Sequence, residues 1–456
     1  MRISVLGTGY LGATHAAALA RWGHVVVGVD VDRARVARLS RGDAPFHEPG
    51  FAALLQDGVR SGRLTFTTDV TAAGCADLHF LCVGTPQLEG GHAADLGALW
   101  SVVDALAAVL RPGALVVGKS TVPVGTAELV QQRLDEGATN RVAEVAWNPE
   151  FLREGHAVED SLHPDRLVVG VTSDAAEARL REVYASLLDD GVPLIRTDLQ
   201  TAELAKASAN VMLASRVSVV NLLAEVCEAA GADIERLTEI LGLDPRIGPQ
   251  YLSPGLGFGG GCLPKDLRAF RARATELGVG TTAGLLLGAV DEVNTHQRRR
   301  AVDLALALLD GRPEGRRVAA LGAAFKANSD DVRDSPALAV ASALAAHGAR
   351  VRVYDPEAGA NIPDRPGLTV ARSIESACRA ADLTMVLTEW PEFADIDPES
   401  LGALVGRPVV LDGRLVLEPA RWTRAGWSVH ALGRFAEEAE PCTALDPAVD
   451  AAARAG

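Results

Sequence analysis

Two kinds of hydrophobic pattern divide the chain. Short apolar runs, each ending in glycine or a polar residue, predict strands at residues 3–6, 25–29, 78–83 and 114–118, and again at 317–321, 351–354, 383–387 and 409–411. Between these regions, longer runs predict helices at residues 201–230, 233–241, 267–277 and 281–308. Helices are also predicted within the outer regions, at about residues 10–22 and 337–347. Strands that alternate with helices are typical of doubly wound parallel sheets.

The pattern therefore predicts an α/β protein with two Rossmann-like, doubly wound parallel-sheet domains. A long central helix and an all-helical segment join them, and the helix at 201–230 is apolar around so much of its circumference that we expect it to be buried between domains or subunits. We expect domains at 1–198, 199–310 and 311–436, the last beginning in a linker of glycine and proline. Residues 437–456, rich in Ala, Glu and Asp, are expected to be a disordered tail.

Composition and charge exclude several classes of protein. The net charge of −15 argues against a nucleic-acid partner, because such proteins carry a basic face, but it leaves room for a local anion site. The six cysteines are scattered, with no Cys-x-x-Cys pair and no histidine at metal spacing, so we expect free thiols, a cytoplasmic setting and no metal. We see no signal peptide and no run of about 18 apolar residues, so we expect no association with a membrane.

The start of the chain carries a complete dinucleotide fingerprint: a strand, the glycine-rich turn 7–12, a helix, and a second strand that ends at Asp30. Such a turn lets a pyrophosphate rest on the helix N-terminus, where free N–H groups favour an anion. The dinucleotide contacts predicted in this turn are Gly7, Gly9, Tyr10, Leu11 and Gly12. Asp30 is expected to bond the ribose hydroxyls and so to favour NAD over NADP, although Arg33 and Arg35 nearby weaken that preference.

Polar residues follow the next strands at the edge where the ligands of open parallel sheets lie. Thr85 follows the strand at 78–83 and Thr121 follows the strand at 114–118, and turn or capping chemistry explains them as readily as ligand contact does. Further on, the Asn-Pro pair at 148–149 predicts a shaped loop entering a helix, a common place for a catalytic acid. Glu150 and Glu154, four residues apart, would share one face of such a helix, as a solvated acidic pair also would.

The middle of the chain holds a lysine and a cysteine that point to chemistry. Lys206 and Asn210 lie four residues apart on the long helix, where a mostly buried lysine needs a partner unless it extends to the surface. Cys262 lies in the glycine-rich stretch 255–266, and glycine lets a backbone approach a ligand closely. Lys265 nearby is expected to favour the nucleophilic thiolate. A flexible loop that carries a small apolar residue is the alternative.

The second α/β region lacks a complete glycine fingerprint, so it should bind something other than a whole dinucleotide. Lys326, Arg333 and Arg414 lie after its strands and are candidate clamps for a phosphate or a carboxylate, since a guanidinium is suited to bidentate contacts. Any one of these residues alone is better explained as a surface charge.

Over about residues 1–436 the sequence resembles the UDP-glucose/GDP-mannose dehydrogenase family. The matching motifs, in family order and spacing, are at residues 7–12, 83–86, 120–123, 148–155, 203–210, 257–266, 325–326 and 333–336. Such enzymes oxidise the C6 hydroxyl of a nucleotide sugar to a carboxylate, using two NAD and one water. The resemblance implies this activity, an NAD-binding first domain, a dimerising central domain and a third domain that binds the nucleotide sugar.

Carried over residue by residue, the resemblance implies that Cys262 is the nucleophile, through a thiohemiacetal and a thioester. The other implied catalytic residues are Lys206, Asn210 and Asp266 around the reacting carbon, with Thr121 and Glu150 positioning water. The implied cofactor contacts beyond the glycine turn are Asp30, Arg35, Thr85, Thr121, Glu154, Lys265 and Arg333. The implied contacts to the sugar nucleotide are Glu150, Phe151, Leu152, Arg153, Glu154, Lys206, Asn210, Tyr251, Leu252, Ser253, Gly255, Gly259, Lys326 and Arg414. Arg246 matches an arginine that reaches the neighbouring subunit's site, which implies a homodimer or a higher homo-oligomer.

Some choices stay open. UDP-glucose is the expected substrate, weakly favoured by residues 164–166, with dTDP-glucose, GDP-mannose or an N-acetyl sugar as alternatives. Where many relatives have serine before the nucleophile, this chain has Gly261. A two-electron hydroxyacid dehydrogenase of the 6-phosphogluconate type is the second interpretation, although it needs neither Cys262 nor a second α/β domain. An NAD-bound scaffold without chemistry is the third, and the occupied catalytic positions disfavour it.

Overall fold

The apolar strands of the first region form one sheet. In residues 1–136 and 143–434, which the computed structural model describes, its strands are β1 Arg2–Leu6, β2 Val25–Val29, β3 Leu64–Thr67, β4 Leu78–Leu81, β5 Ala114–Gly118, β6 Ala143–Trp147, β7 Leu167–Gly170 and β8 Leu194–Thr197. Their order is β3-β2-β1-β4-β5-β6-β7-β8. The pairs from β3 to β6 are parallel, whereas β6 and β7 are antiparallel. The last two strands therefore run against the others. The predicted doubly wound parallel sheet is confirmed over the six strands from β3 to β6, and its direction reverses at this edge.

Alternating side chains of these strands feed two apolar clusters, one on each face of the sheet. The helices here are α1 Tyr10–Arg21, α2 Arg33–Ser40, α3 Phe51–Arg60, α4 Gly97–Ala107, α5 Thr126–Glu136, α6 Ala157–Leu162, α7 Asp174–Val183 and α8 Ala185–Asp189. On β5, Leu115 and Val117 join the cluster that contains α1 and α3, and Val116 joins the cluster that contains α4 and α5. Because successive strand residues point to opposite faces, this sheet is covered on both sides.

Four helices form the middle of the chain: α9 Leu199–Ala230, α10 Ile234–Gly242, α11 Leu263–Glu276 and α12 Gly280–Leu308. Helix α9 packs against α11 and α12 on one side and against β7 of the first sheet. Asp198 caps its N-terminus by accepting from the Thr201 N–H, and Gly231 ends it in a left-handed conformation with φ of 69°. The predicted long helix is confirmed, and α11 begins four residues earlier than its prediction, immediately after Cys262.

The last region forms a second, six-stranded sheet. Its strands are β9 Arg317–Leu321, β10 Arg350–Tyr354, β11 Leu368–Val370, β12 Leu383–Val386, β13 Val409–Asp412 and β14 Ser428–Ala431. Its helices are α13 Pro336–Ala346, α14 Ile374–Cys378, α15 Pro391–Ala394, α16 Pro398–Gly402 and α17 Pro419–Arg424. The order is β11-β10-β9-β12-β13-β14, with every pair parallel. Two doubly wound α/β units joined by long helices are thus confirmed.

The hydrophobic pattern does not predict every strand of the two sheets. All eight predicted strands are present with ends within two residues of the prediction, but β3, β6, β7, β8, β11 and β14 were not predicted. Several of these are short or partly exposed, so their apolar signal is weak. The domain limits remain a prediction, and the predicted disordered tail lies outside the described residues.

Helix α9 is long and apolar enough to cross a membrane by length and composition alone. Within the protein, however, it buries Glu203, Lys206, Asn210 and Asn221, which are polar groups that bond to other elements. A polar buried face of this kind identifies α9 as a core helix of the described fold.

Glu203 fastens α9 to the first sheet. Its carboxylate is almost fully buried and accepts hydrogen bonds from the Gly125 N–H at 2.7 Å and the Ala127 N–H at 2.6 Å. These donors belong to the first turn of α5, where N–H groups have no partner within the helix. One side chain therefore closes the N-terminus of α5 and fixes its distance from α9.

We expect Glu203→Ala to reduce the stability of the first domain by about 2–3 kcal/mol, because two buried N–H groups lose their acceptor. Urea unfolding followed by circular dichroism measures this. The control is Glu128→Ala, which removes an exposed glutamate from the same turn of α5 and should cost less than about 0.5 kcal/mol. Equal losses for the two variants would contradict the capping role.

Candidate active site

The glycine-rich turn between β1 and α1 leaves an open approach to a helix N-terminus. A Cβ on Gly12 would lie 1.9 Å from the Gly7 carbonyl oxygen, so only glycine allows α1 to pack this closely on the turn. A Cβ on Gly9 would meet nothing within 4 Å. Gly9, Tyr10 and Leu11 thus lie where the first N–H groups of α1 can receive an anion, which fits the pyrophosphate of a dinucleotide.

Asp30 stands beside this turn at the end of β2. Its carboxylate accepts from the Thr8 N–H at 2.7 Å and from the Asp32 N–H at 2.9 Å, and Arg35 Nη1 lies within 3.1 Å of both carboxylate oxygens. Burial acts to raise the pKa of Asp30, but these hydrogen bonds and the guanidinium outweigh it and lower the pKa. The acid is therefore held ionised at the position where a ribose would lie.

A cleft of about 690 Å³ opens between the two sheets and α9. It brings together most of the predicted substrate and catalytic residues: Glu150, Phe151, Leu152, Arg153, Glu154, Lys206, Asn210, Tyr251, Ser253, Gly259, Cys262, Lys326 and Arg414. Residues from all three parts of the chain thus line one space. An adjoining apolar cavity of about 380 Å³ is lined by Thr121, Lys265 and Asp266 together with Glu203.

The floor of the cleft is a buried ion pair. Lys206 Nζ lies 2.9 Å from Glu150 Oε1, and the other oxygen of Glu150 accepts from the Leu152 N–H at 2.5 Å. Burial works to lower the pKa of Lys206, but its attraction to Glu150 and to Cys262 outweighs this and raises the pKa. Residues 148–156 form a loop and α6 begins only at Ala157, so the expectation that Glu150 and Glu154 share a helical face is wrong.

A second chain of polar contacts runs beside the ion pair. Asp266, buried in α11, accepts from Asn210 Nδ2 at 2.6 Å and from Lys265 Nζ at 2.5 Å. Lys265 in turn lies 3.4 Å from Thr85 Oγ1, whose hydroxyl donates to the Thr121 carbonyl oxygen at 2.7 Å. The edge of the first sheet is thereby connected to α9 and α11.

Cys262 is the N-cap residue of α11 and is exposed to the cleft. The groups around its sulfur are charged. Burial first, and then the carboxylates of Asp266, Glu154 and Glu150, raise the pKa of the thiol to about 12, while the Lys206 ammonium opposes them. The expectation that Lys265 favours the thiolate is wrong, because that ammonium is engaged by Asp266. The cation that favours the thiolate is Lys206.

Arg333 from the last region lies directly over the backbone that precedes the cysteine. A Cβ on Gly261 would come within 2.3–2.6 Å of the Arg333 guanidinium, so glycine makes the space that this side chain fills. Arg333 is held by Asp331 at 2.6 Å and lies 3.4 Å from Glu154. Burial and the charge of Asp331 raise the pKa of Glu154 to about 7, with Arg333 acting against them. A side chain at position 261 would therefore have to displace the guanidinium of Arg333.

The second sheet contributes the far wall. Arg414 follows β13, and its guanidinium donates to the carbonyls of Leu387 at 3.1 Å, Phe325 at 3.2 Å and Gly257 at 3.4 Å. Lys326 lies beside it, and burial lowers the pKa of its ammonium. Arg414 therefore also supports the glycine-rich loop that carries Cys262.

Three of the predicted contacts to the sugar nucleotide lie outside the cleft. Leu252 and Gly255 are buried behind its wall, where the Gly255 N–H donates to Asn221 Oδ1 at 2.8 Å. Arg246 is 87% exposed and pairs with Asp244 at 2.6 Å, so within one chain it does not reach the site.

Two buried charges beside the site were not predicted. Glu48 accepts from the Tyr10 hydroxyl and from the N–H groups of Gly155 and Ala157, and so joins the glycine-rich turn to the loop of Glu150. Lys119 lies at the end of the fully buried strand β5. A lysine directly after an apolar strand needs a partner, and this signal was present in the sequence.

Three family models match the chain. They are the NAD binding domain, the central domain and the UDP binding domain of the UDP-glucose/GDP-mannose dehydrogenase family, at residues 1–188, 200–296 and 319–419. Among curated proteins, the chain is 40% identical to a UDP-glucose 6-dehydrogenase of Pseudomonas aeruginosa over 95% of this chain and 98% of that protein. It is 39% identical to the UDP-glucose 6-dehydrogenase of Rhizobium meliloti over 95% of this chain and all of the other.

Solved structures agree in fold. A UDP-glucose dehydrogenase from Pyrobaculum islandicum superposes with a TM-score of 0.86 at 37% identity, covering 95% of this chain and 98% of that one. A UDP-D-ManNAc dehydrogenase from Pyrococcus horikoshii gives a TM-score of 0.85 at 28% identity, with 95% and 99% covered.

The raised pKa of Cys262 predicts a thiol that is slow to react in the ligand-free protein. At pH values well below about 12, the thiolate fraction increases about tenfold for each pH unit. Alkylation by iodoacetamide at Cys262 should therefore be slow at pH 7 and about a hundredfold faster at pH 9. Peptide mass mapping reads this site separately from the exposed Cys75. Fast alkylation with no pH dependence between pH 6 and 8 would contradict the prediction.

Proposed function

The chain belongs to the UDP-glucose/GDP-mannose dehydrogenase family and is an NAD-dependent nucleotide-sugar 6-dehydrogenase, and within that family we propose that it oxidises UDP-glucose to UDP-glucuronate. The reaction removes four electrons from the C6 hydroxyl and consumes two NAD and one water. The observation that carries the proposal is the position of Cys262, which opens into one cleft with the Glu150–Lys206 ion pair and the Asn210–Asp266 contact.

A thiol is needed because the aldehyde carbon cannot give up its hydrogen as hydride until a nucleophile has added to the carbonyl. When the Cys262 sulfur adds to the aldehyde, a tetrahedral thiohemiacetal forms, which carries the remaining C–H bond and keeps the intermediate attached. Loss of that hydride gives a thioester, and water then releases the carboxylate and restores the thiol. The turn 7–12 and Asp30, with Arg35, Thr85 and Lys265 as further contacts, would hold NAD, which would supply the hydride acceptor for the oxidations when bound.

The remaining groups have electrostatic and proton-transfer roles. Lys206 and Asn210 present fixed donors to the oxygen that becomes negative at each tetrahedral stage. Glu150 or Asp266 accepts the protons released from the hydroxyl and from water, and Thr121 together with Glu150 positions the water. In the resting site the thiol is protonated, so one of these carboxylates also receives the proton of Cys262 when the sulfur attacks.

Two features support UDP-glucose as the substrate. The relatives at about 40% identity are UDP-glucose 6-dehydrogenases over nearly their whole length, and the last region matches a UDP binding domain. Lys326 and Arg414 line the cleft from that region and supply positive charge for a diphosphate.

We place the domain limits at residues 198 and 310. We also place the enzyme in the cytoplasm, since its described cysteines are all free.

A panel of UDP-glucose, dTDP-glucose, GDP-mannose and UDP-N-acetyl sugars tests the proposal. The purified enzyme should form two NADH for each UDP-glucose consumed, with the highest kcat/KM in the panel. Cys262→Ser should reduce uronate formation more than about a thousandfold while NAD and UDP-glucose still bind by calorimetry. One NADH per sugar, or normal uronate formation by Cys262→Ser, would contradict the covalent pathway. A higher kcat/KM for another sugar would reassign the substrate.

We also propose that the enzyme is at least a homodimer formed through its central helices. Side chains on one side of α9 are apolar and exposed in the single chain, among them Met212 at 65%, Val219 at 53% and Val226 at 54%. A continuous apolar surface on the central helix is typical of a subunit interface. Arg246 is near this region and carries no contact in its own cleft, which supports a role in the neighbouring subunit's site.

Complementation between variants tests the role of Arg246. Arg246→Ala alone should raise the KM for the nucleotide sugar about tenfold or more, because a charge-assisted contact is lost. When Arg246→Ala and Cys262→Ser subunits are mixed and allowed to exchange, the heterodimer should hold one intact site, with the arginine from one chain and the cysteine from the other. Activity above that of either variant is the expected result. No gain, with exchange verified by native mass spectrometry, would contradict the proposal.

A further inference from the structure

Lys119 is a buried cation that the proposed chemistry does not use. It is 7% exposed, and among the described residues no carboxylate lies within ion-pair distance of its ammonium. Its hydrogen-bond partner is Asn148 Oδ1 at 3.0 Å, and the rings of Phe80 and Tyr184 lie about 6 Å away, at 5.8 and 6.0 Å. Burial lowers the pKa of the ammonium to about 8, although Cys82 and Glu150 act against this shift. Burying an ammonium without a carboxylate partner costs free energy, so we expect this lysine to have a specific role.

Asn148, the partner of Lys119, is held by further hydrogen bonds from its side chain and its backbone. Asn148 donates through Nδ2 to the Val168 carbonyl at 2.8 Å, and its Oδ1 also accepts from the Tyr184 hydroxyl at 2.5 Å. Its backbone N–H donates to the Gly118 carbonyl at 2.8 Å. The amide of Asn148 is therefore a rigid anchor, and the lysine is attached to it from the neighbouring strand.

The Lys119–Asn148 bond joins the carboxyl ends of two adjacent strands just before each delivers a group to the site. Lys119 follows β5 and stands two residues before Thr121, while Asn148 follows β6 and stands two residues before Glu150. Such a bond sets the separation of the two loops that begin there, and hence of the residues that they carry.

We propose that Lys119 is a positioning residue for the water-dependent step, holding Thr121 and Glu150 at the separation that thioester hydrolysis requires. The proposal rests on the proposed function. In that step a water oxygen forms a bond to the thioester carbonyl carbon, the C–S bond breaks with its electron pair going to Cys262, and the water proton passes to a carboxylate of the site. No electron leaves the substrate, so no oxidant is needed.

The geometry separates this step from the two oxidations. The thiol, Lys206 and Asn210 lie on α9 and at the start of α11, which the Lys119–Asn148 bond does not touch. Glu150 also serves the oxidations through its pair with Lys206, which stays in place without Lys119. Only the water needs Thr121 and Glu150 together, so the separation of the two loops acts on this step. Loss of Lys119 should therefore slow release of the product more than it slows formation of the covalent intermediate.

Lys119→Met tests this with little risk to folding. The methionine is similar in length, it removes a buried charge, and Asn148 Oδ1 keeps the Tyr184 hydroxyl as its donor. The experiment mixes enzyme with UDP-glucose and excess NAD, records NADH formed per site in the first turnover, and measures the intact mass of acid-quenched protein. We expect kcat to fall about 10- to 100-fold, a retained burst of two NADH per site, and a larger fraction of protein carrying the adduct at Cys262.

The control is Ser4→Ala, which removes another buried bond of the same sheet, between Ser4 Oγ and His79 Nδ1 at 2.8 Å, away from the site. It should lower the thermal midpoint without changing the adduct fraction. The inference is overturned if Lys119→Met lowers kcat with no increase in adduct, if its burst falls in parallel with kcat, or if Ser4→Ala raises the adduct equally. Wild-type enzyme that makes uronate with no adduct under any quench would contradict the covalent pathway itself, which is a different result.

Discussion

The ion pair between Glu150 and Lys206 is the contact on which the site depends. It joins a loop of the first domain to the central helix, and it lies where water has little access, so either charge alone would be costly by about 3–5 kcal/mol. Because an unpaired charge would be costly, the loop of Glu150 lies close against α9, and the ion pair forms the floor of the cleft. The positive charge on Lys206 then has two duties, since it neutralises Glu150 and also attracts the sulfur of Cys262.

The charges around Cys262 disfavour a thiolate in the ligand-free protein and place proton acceptors beside the sulfur. Three carboxylates and burial favour the protonated thiol, and one ammonium opposes them. Such a site gives up ground-state reactivity of the thiol, and it keeps carboxylates that can act as proton acceptors close to the sulfur. The donors that would stabilise a tetrahedral oxygen are fixed in advance by Asp266 and Glu150, so little reorganisation is needed when negative charge develops.

The sequence predicts those parts of the fold whose structure depends on local residue patterns. The turn 7–12 with Asp30, the long helix and the central strands of both sheets follow from periodicity and glycine placement. Most of the substrate contacts that the resemblance implies line one cleft, and their roles stay a prediction. The sequence does not predict what depends on contacts between distant segments. The reversal at β7, the loop form of residues 148–156, the partner of Lys265 and the buried charges of Glu48 and Lys119 are all set by elements far apart in the chain.

The bracing of the cysteine loop by the last strands has a consequence for how the enzyme is made. Gly257 and Phe325 are held by the guanidinium of Arg414, and a Cβ on Gly255 would lie 2.8 Å from the Gly413 carbonyl oxygen, so the loop takes its shape against residues near the end of the chain. During synthesis the turn 7–12 leaves the ribosome first, and Cys262 follows about 150 residues before Arg414, which supports its loop. A chain that stops before Arg414 therefore contains the whole turn 7–12 and Asp30, but it lacks the contacts that hold the loop around Gly257.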